Sequence, residues 1–193
     1  IGARSEIPAW LKTLSWMREN LPDDAIVACW WDYGYWVTIL GNKTSIVDNA
    51  TLNSTQIGEI GYAFMSDEET AYRIFKSLGA THVLIFVTHW PYGQGGQLLG
   101  YGDEGKWIWM LRIAVQEGHK LNESEYIDER GNPTEKFWEE TTLGKLIPFK
   151  PTRMGMQTSY VYQPAQLKHF RLVYESDRPY TSIAYVYIYE LVD

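Results

Sequence analysis

Cysteine is almost absent from this chain: Cys29 is the only one in 193 residues. That excludes an internal disulfide framework and a cysteine-based zinc cage, and it leaves the redox compartment open. No apolar run reaches the roughly 18–20 residues of a membrane helix. No signal peptide is visible, and the start "IGARSEIPAW" lacks an initiator Met, so the chain is expected to be an excised piece of something longer. Basic residues are too few for a nucleic-acid footprint. Lys and Arg number 17 against 24 Asp and Glu, a net charge of −7, with no Lys/Arg cluster. What is plentiful is aromatic: nine Trp, fourteen Tyr and six Phe in a chain that is 45% hydrophobic. Such a composition suits a real core, or flat rings that grip peptide or sugar.

The order of patterns is mixed. Ser5 is in place to cap a first helix, with Pro8 in its opening turn and Trp10, Leu11, Leu14 and Met17 on one face. "AIVACWW" reads as a buried strand, and Thr44 to Asp48 as a second short one. Asn53 or Ser54 is expected to cap a helix through Phe64. The capping-box spacing from Ser66 to Glu69 predicts another to Leu78, closed by Gly79. "HVLIFV" is a buried strand. After it, "THWPYGQGGQLLGYGDEG" reads as a long mobile loop with six glycines. Asp103 then caps a helix ending near Gly118, and a further helix is expected from about Thr134 to Leu146. "HFRLVYES" and "SIAYVYIYELV" look like a hairpin. The expectation is one mixed α/β (α+β) domain over 1–193, with a small central sheet, surrounding helices and a C-terminal β-hairpin. Its motif-bearing core spans about 5–147 and its β-rich tail about 158–193.

Most familiar catalytic patterns are missing. "GYGDEGKW" places Trp where a phosphate loop needs Ser or Thr, and "GQGGQLLG" lacks the dinucleotide spacing. His82, His89, His119 and His169 share no metal-ligand spacing. There is no nucleophile elbow, and Glu139 and Glu140 belong to a solvated face. Asp103, Lys106 and Met110 do share one helical face by spacing. An acid at a helix start, a lysine one turn on and an adaptable apolar wall also describe an ordinary capped helix with a surface ion pair.

"WWDYG", residues 30–34, is more pointed. If a strand ends here, the side chains splay at its C-terminal edge, where clefts form in α/β sheets. Each indole offers one donor, and Asp32 only acceptors. Together Trp30, Trp31 and Asp32 can satisfy a hydroxyl, which donates and accepts. A site built for a hydroxyl rejects analogues without one, so the chemistry suits a Ser or Thr side chain.

These residues resemble the catalytic subunit of oligosaccharyltransferase, the enzyme of asparagine-linked glycosylation. "WWDYG" is similar to that family's signature. "DEGKWIWM" at 103–110 matches its second motif, Asp-x-x-Lys-x-x-x-Met, and "TSIVDNATLNST" at 44–55 looks like the segment between them. The blocks stand in the family's order and cover roughly 25–115. Compact length points to the short archaeal single-subunit form. The resemblance implies the extracytoplasmic C-terminal domain of a membrane protein. The membrane part, outside this chain, would carry a divalent metal (Mn or Mg) and bind the lipid-linked oligosaccharide. No cofactor and no catalytic residue are implied for this chain.

The implied partner is an acceptor polypeptide with Asn-x-Ser/Thr, and nucleic acid is not expected. Trp30, Trp31 and Asp32 would bind its hydroxyl, with Lys106 and Met110 lining the pocket and Asp103 orienting the lysine. Tyr33 and Gly34 would shape the turn. The rivals are an aromatic-rich carbohydrate-binding module, which needs exposed Trp faces in a row, and a hydrolase, which needs convergent carboxylates. The chain has four sequons of its own, at Asn42, Asn49, Asn53 and Asn122.

Overall fold

The computed structural model describes residues 6–50 and 53–193. The Ser5 cap lies outside the described residues. Helix α1 (Ile7–Asn20) starts with Pro8 in its first turn and buries Ala9, Trp10, Leu14 and Met17, whereas Leu11, expected on that face, points outward because it stands one residue, about 100° of helix, from Trp10. Strand β1 (Ile26–Ala28) follows, then β2 (Thr44–Ser45). Helix α2 (Ser54–Met65) is capped by Asn53, whose side chain accepts from the Gln56 N–H, and it turns Ile57 and Ile60 inward. Helix α3 (Glu68–Ser77) is capped by Asp67, not by Ser66, which closes α2 instead. Asp67 wins because its carboxylate reaches both the amide and the hydroxyl of Thr70. Gly79 ends the segment at φ 84°, as the pattern predicts.

Strand β3 (His82–Tyr92) is longer than "HVLIFV", and it folds back as β4 (Gly95–Leu98). The expected mobile loop is therefore largely a hairpin, with Trp90 opposite Gln97 and Tyr92 opposite Gly95. Its glycines serve contact rather than slack. A Cβ on Gly96 would sit 2.5 Å from the His89 ring, and one on Gly95 would sit 2.2 Å from Ser159 Oγ. Helix α4 (Asp103–Gln116) follows. The helix expected over 134–146 is two pieces, α5 (Glu135–Glu140) and α6 (Thr142–Leu146). The break is Thr141, extended at ψ 146°, whose hydroxyl accepts from the Gly144 N–H and caps the second piece.

Four strands finish the chain: β5 (Phe149–Met154), β6 (Gln157–Tyr162), β7 (Phe170–Glu175) and β8 (Ala184–Leu191). The central sheet runs β2-β1-β3-β8-β7, with β4 also on β3, while β5 and β6 form a separate hairpin. Pairings of β1 are parallel, and those of β3 with β8 and of β8 with β7 antiparallel. The expected C-terminal hairpin is present, but β8 lies in the middle of the sheet. Its buried Tyr185, Tyr187 and Tyr189 belong to the core shared with α1, α2, α4 and β3. Among the described residues no helix is long and apolar enough to cross a membrane.

Candidate functional site

Strand β1 stops at Ala28, sooner than "AIVACWW" predicts. Trp30 is still extended, and Trp31–Tyr33 make one 3-10 turn that runs into a π-helical turn at Trp36–Leu40. Tight and wide turns of this kind recur at functional sites. The break from strand to turn aims neighbouring side chains in different directions. Trp30 and Tyr33 go into the core, at 2% and 4% exposure, while Trp31 and Asp32 stay half-buried. Trp10 of α1 packs on the Tyr33 ring at 5.0 Å and on Trp36 at 4.9 Å. Gly34 is forced by contact: a Cβ there would meet Val47 O at 2.3 Å. The segment after β2 thus lies directly on the turn.

The second motif arrives from α4, whose first turn faces β3. Asp103 is the first helical residue rather than the cap, and Gly102 stands at the cap position. The Asp103 carboxylate is fully buried and turns away from its own helix. Oδ2 accepts from the Phe86 N–H of β3 at 2.9 Å, and Oδ1 accepts from the Tyr33 hydroxyl at 3.1 Å. One turn on, Lys106 Nζ donates to Asp32 Oδ2 at 2.5 Å and to the Tyr33 hydroxyl at 2.8 Å. It also stands 4.4 Å from the Tyr33 ring centroid. The lysine therefore pairs with Asp32, and its hydrogen-bonded link to Asp103 runs through Tyr33. Asp103–Tyr33–Lys106–Asp32 is a single chain of hydrogen bonds. Burial pushes the Asp103 carboxyl up to about 8, against the pull of Lys106 and the Phe86 N–H. Burial likewise holds the Tyr33 hydroxyl well above its ordinary range, so it stays protonated and can donate.

Asp32 presents an asymmetry. Oδ2 is bound by Lys106, whereas Oδ1 is buried with no hydrogen-bond partner among the described residues. A buried acceptor left unpaired carries a real cost. Beside it sits an ammonium with three donors, two of them used within the protein. An open acceptor and a spare donor side by side are what a hydroxyl requires.

Sequence reasoning missed three residues here. Tyr33 was expected only to shape the turn, yet it bridges both motifs; a phenol inside an acidic motif is the signal that was available. Glu104 was not singled out. It is buried, pushed up to about 7 by burial, and accepts from the N–H groups of Thr88, Gly100 and Gly102 and from the Thr88 hydroxyl. It binds the hairpin exit to β3. Asn49 was noticed only as a sequon, and it bonds to the turn itself. Met110 is fully buried, with its backbone pressed on Gly61 of α2. Glu139 and Glu140 are exposed, as expected. Among the described residues no group of three or more His, Cys, Asp or Glu could hold a metal ion. Burial pushes the Cys29 thiol up to about 12, so no nucleophile is added.

No protein-family model matches the chain. Over 138 residues it is 37% identical to the STT3B subunit of dolichyl-diphosphooligosaccharide–protein glycosyltransferase from Oryza sativa subsp. japonica, covering 67% of this chain and 18% of that protein. Over 164 residues it is 40% identical to the stt-3 subunit from Caenorhabditis elegans, covering 80% of this chain and 21% of that one. The chain thus spans about a fifth of the length of these curated relatives. In fold it is similar to the crystal structure of the C-terminal globular domain of oligosaccharyltransferase from Archaeoglobus fulgidus. The TM-score is 0.56 at 23% identity, covering 95% of this chain and 97% of that one.

Proposed function

Since this chain belongs to the oligosaccharyltransferase family of STT3 subunits, as their C-terminal globular domain, we propose that it holds the acceptor sequon Asn-x-Ser/Thr while the rest of the enzyme transfers oligosaccharide to the asparagine. The observation that carries this reading is the unpaired, buried Asp32 Oδ1 beside Lys106. A Thr or Ser hydroxyl donates to that oxygen and accepts from the free N–H of the ammonium. A residue without the hydroxyl leaves the acceptor unpaired and is rejected. Half-buried Trp31 forms the apolar side of the pocket, backed by the core residue Trp30 with ring centroids 6.5 Å apart. Asp32 Oδ1 is closed to water, so the pocket opens as the peptide arrives.

Fixing the sequon's register is the contribution of this domain. It converts an encounter into a positioned reaction without making or breaking a bond here. The lipid-linked oligosaccharide and a divalent Mn or Mg ion belong to the membrane part of the parent enzyme. This domain works on the extracytoplasmic face. On this reading the chain by itself, given donor and peptide, transfers nothing.

A photoreactive Asn-x-Thr peptide applied to the full-length enzyme tests the reading. Crosslinks are expected at Trp30, Trp31 or Lys106, and Asp32→Ala should abolish both crosslinking and transfer while the chain melts nearly as before. Near-normal transfer by Asp32→Ala would remove the hydroxyl pocket. The rival sugar-binding reading draws on Trp90 and Tyr92, exposed on alternate positions of β3. It wins if free glycan, and not peptide, protects those rings from modification.

A further inference from the structure

Asn49 follows β2 in a stretch stiffened by its own turns. Ser45 Oγ donates to Val47 O at 2.6 Å, and Ala50 N–H to Asp48 Oδ1 at 2.8 Å. This stretch presses on Gly34, where no Cβ fits. From it the Asn49 side chain reaches across to the turn and bonds on both sides of Tyr33-Gly34. Its Nδ2 donates to Asp32 O at 3.0 Å, and its Oδ1 accepts from the Tyr35 N–H at 3.3 Å. These backbone groups flank the junction at which the 3-10 turn Trp31–Tyr33 passes through Gly34 and Tyr35 into the π-helical turn. A carboxamide places a donor and an acceptor on two separate atoms of one short side chain, as these two bonds require. Aspartate has no donor, and glutamine is longer by a methylene.

We infer that Asn49 is a positioning residue for the acceptor hydroxyl: it pins the backbone of Asp32, and so fixes where that carboxylate meets Lys106 and the peptide. This rests on the sequon-binding reading above. Asn49 touches neither Lys106 nor the hydroxyl. Its effect runs through the Asp32 carbonyl, and a tilt of that peptide plane moves the carboxylate off Lys106. Asn49 is exposed on its outer side, so replacing it disturbs no core packing.

The test uses the full-length enzyme with Asn49→Asp, Asn49→Ala, Thr51→Ala and Asp32→Ala. Asn49→Asp keeps the bond to Tyr35 and sets an oxygen against the Asp32 carbonyl. KM for an Asn-x-Thr peptide should rise about five- to tenfold in both Asn49 variants, the size of one or two lost hydrogen bonds, with kcat within about twofold. The weak binding of an Asn-x-Ala peptide, which has no hydroxyl to place, should not change. Thr51→Ala destroys the chain's own Asn-x-Thr pattern but keeps Asn49, and should match the parent.

Unchanged KM in both Asn49 variants, beside a crippled Asp32→Ala, overturns the inference and leaves the pocket standing. Equal weakening of Asn-x-Thr and Asn-x-Ala binding, or a lower melting temperature with unchanged KM, makes Asn49 merely structural. A Thr51→Ala variant as impaired as Asn49→Asp assigns the effect to modification of Asn49 and overturns it too. Full activity in Asp32→Ala defeats both the sequon reading and this inference.

Discussion

At the scale of single residues, the hydroxyl of Tyr33 does the joining. It donates to Asp103 and accepts from Lys106, so one oxygen couples α4 to the turn after β1, and Asp103 extends the link to β3. Tyr33→Phe keeps the ring in its place against Trp10 and Phe86 and removes only the oxygen. The expected cost in stability is about 1 kcal/mol, the usual net worth of a hydrogen bond, read by denaturant titration. The expected cost in function is larger in KM for peptide than in kcat, because a lysine with one anchor fewer wanders while the chemistry elsewhere is untouched. Equal kinetics for Tyr33→Phe and the parent would show that Asp32 alone holds Lys106.

At the scale of elements, the site is a junction between a strand end, a turn and a helix start, and close backbone approach makes it possible. Gly34→Ala is the direct probe. Its Cβ would stand 2.3 Å from Val47 O and 2.5 Å from the Cα of Asp48, both backbone atoms that cannot rotate away. A loss of about 1–3 kcal/mol is expected, as for other overpacked positions, with the turn displaced from Asn49. Thermal melting with and without the substitution measures it, and a change under about 0.5 kcal/mol would mean the segment after β2 yields freely. The β3–β4 hairpin makes the same point. The six glycines suggested slack, but register with β3 and contact with His89 and Ser159 account for Gly95 and Gly96. Gly93, at φ 58°, makes the turn.

At the scale of the whole molecule, two buried acids bias the response to pH. Asp103 is raised from 3.8 to about 8 and Glu104 from 4.5 to about 7. Between its ordinary value and its folded value each group binds more protons in the folded chain than in the unfolded one, so stability falls as pH rises. These two acids pull the melting temperature down from about pH 4 to about pH 8, against buried His82 and His89 and against Lys150, pushed down to about 7 by burial, which favour folding as pH rises. Asp103→Asn, which keeps an acceptor for the Phe86 N–H, should flatten that decline. A slope that stays the same in Asp103→Asn would assign it to other groups. A second whole-chain prediction concerns β8, which lies between β3 and β7 with six consecutive residues buried, from Ala184 to Tyr189. A chain truncated before Ala184 leaves the stretch His82–Thr88 of β3 without its antiparallel partner, since β4 pairs only with the end of β3. It should give no cooperative unfolding transition, whereas a stable truncated chain would make the tail an appendage.

The elements with strong local signals were legible in the sequence: the face of α1, the Asn53 cap, the run of β3, the glycine closing α3 and the paired strands at the end. The break from strand to turn near "WWDYG" was legible too, because an acid and a glycine directly after an apolar run interrupt a buried strand. Spacing likewise placed Asp103, Lys106 and Met110 on one helix. Partnership was settled only in the fold. Asp103 lies one turn from Lys106, yet it bonds to β3 and Tyr33, because α4 is pressed against that strand and a buried carboxylate takes the nearest unpaired N–H. Lys106 is left to Asp32, 74 residues away in sequence. The same holds for Asn49 on the turn and for β8 between β3 and β7. Local propensity and valence act over a few residues and can be read along the chain. Hydrogen bonds between buried groups far apart in sequence depend on which surfaces the core brings together, and tertiary packing alone decides that.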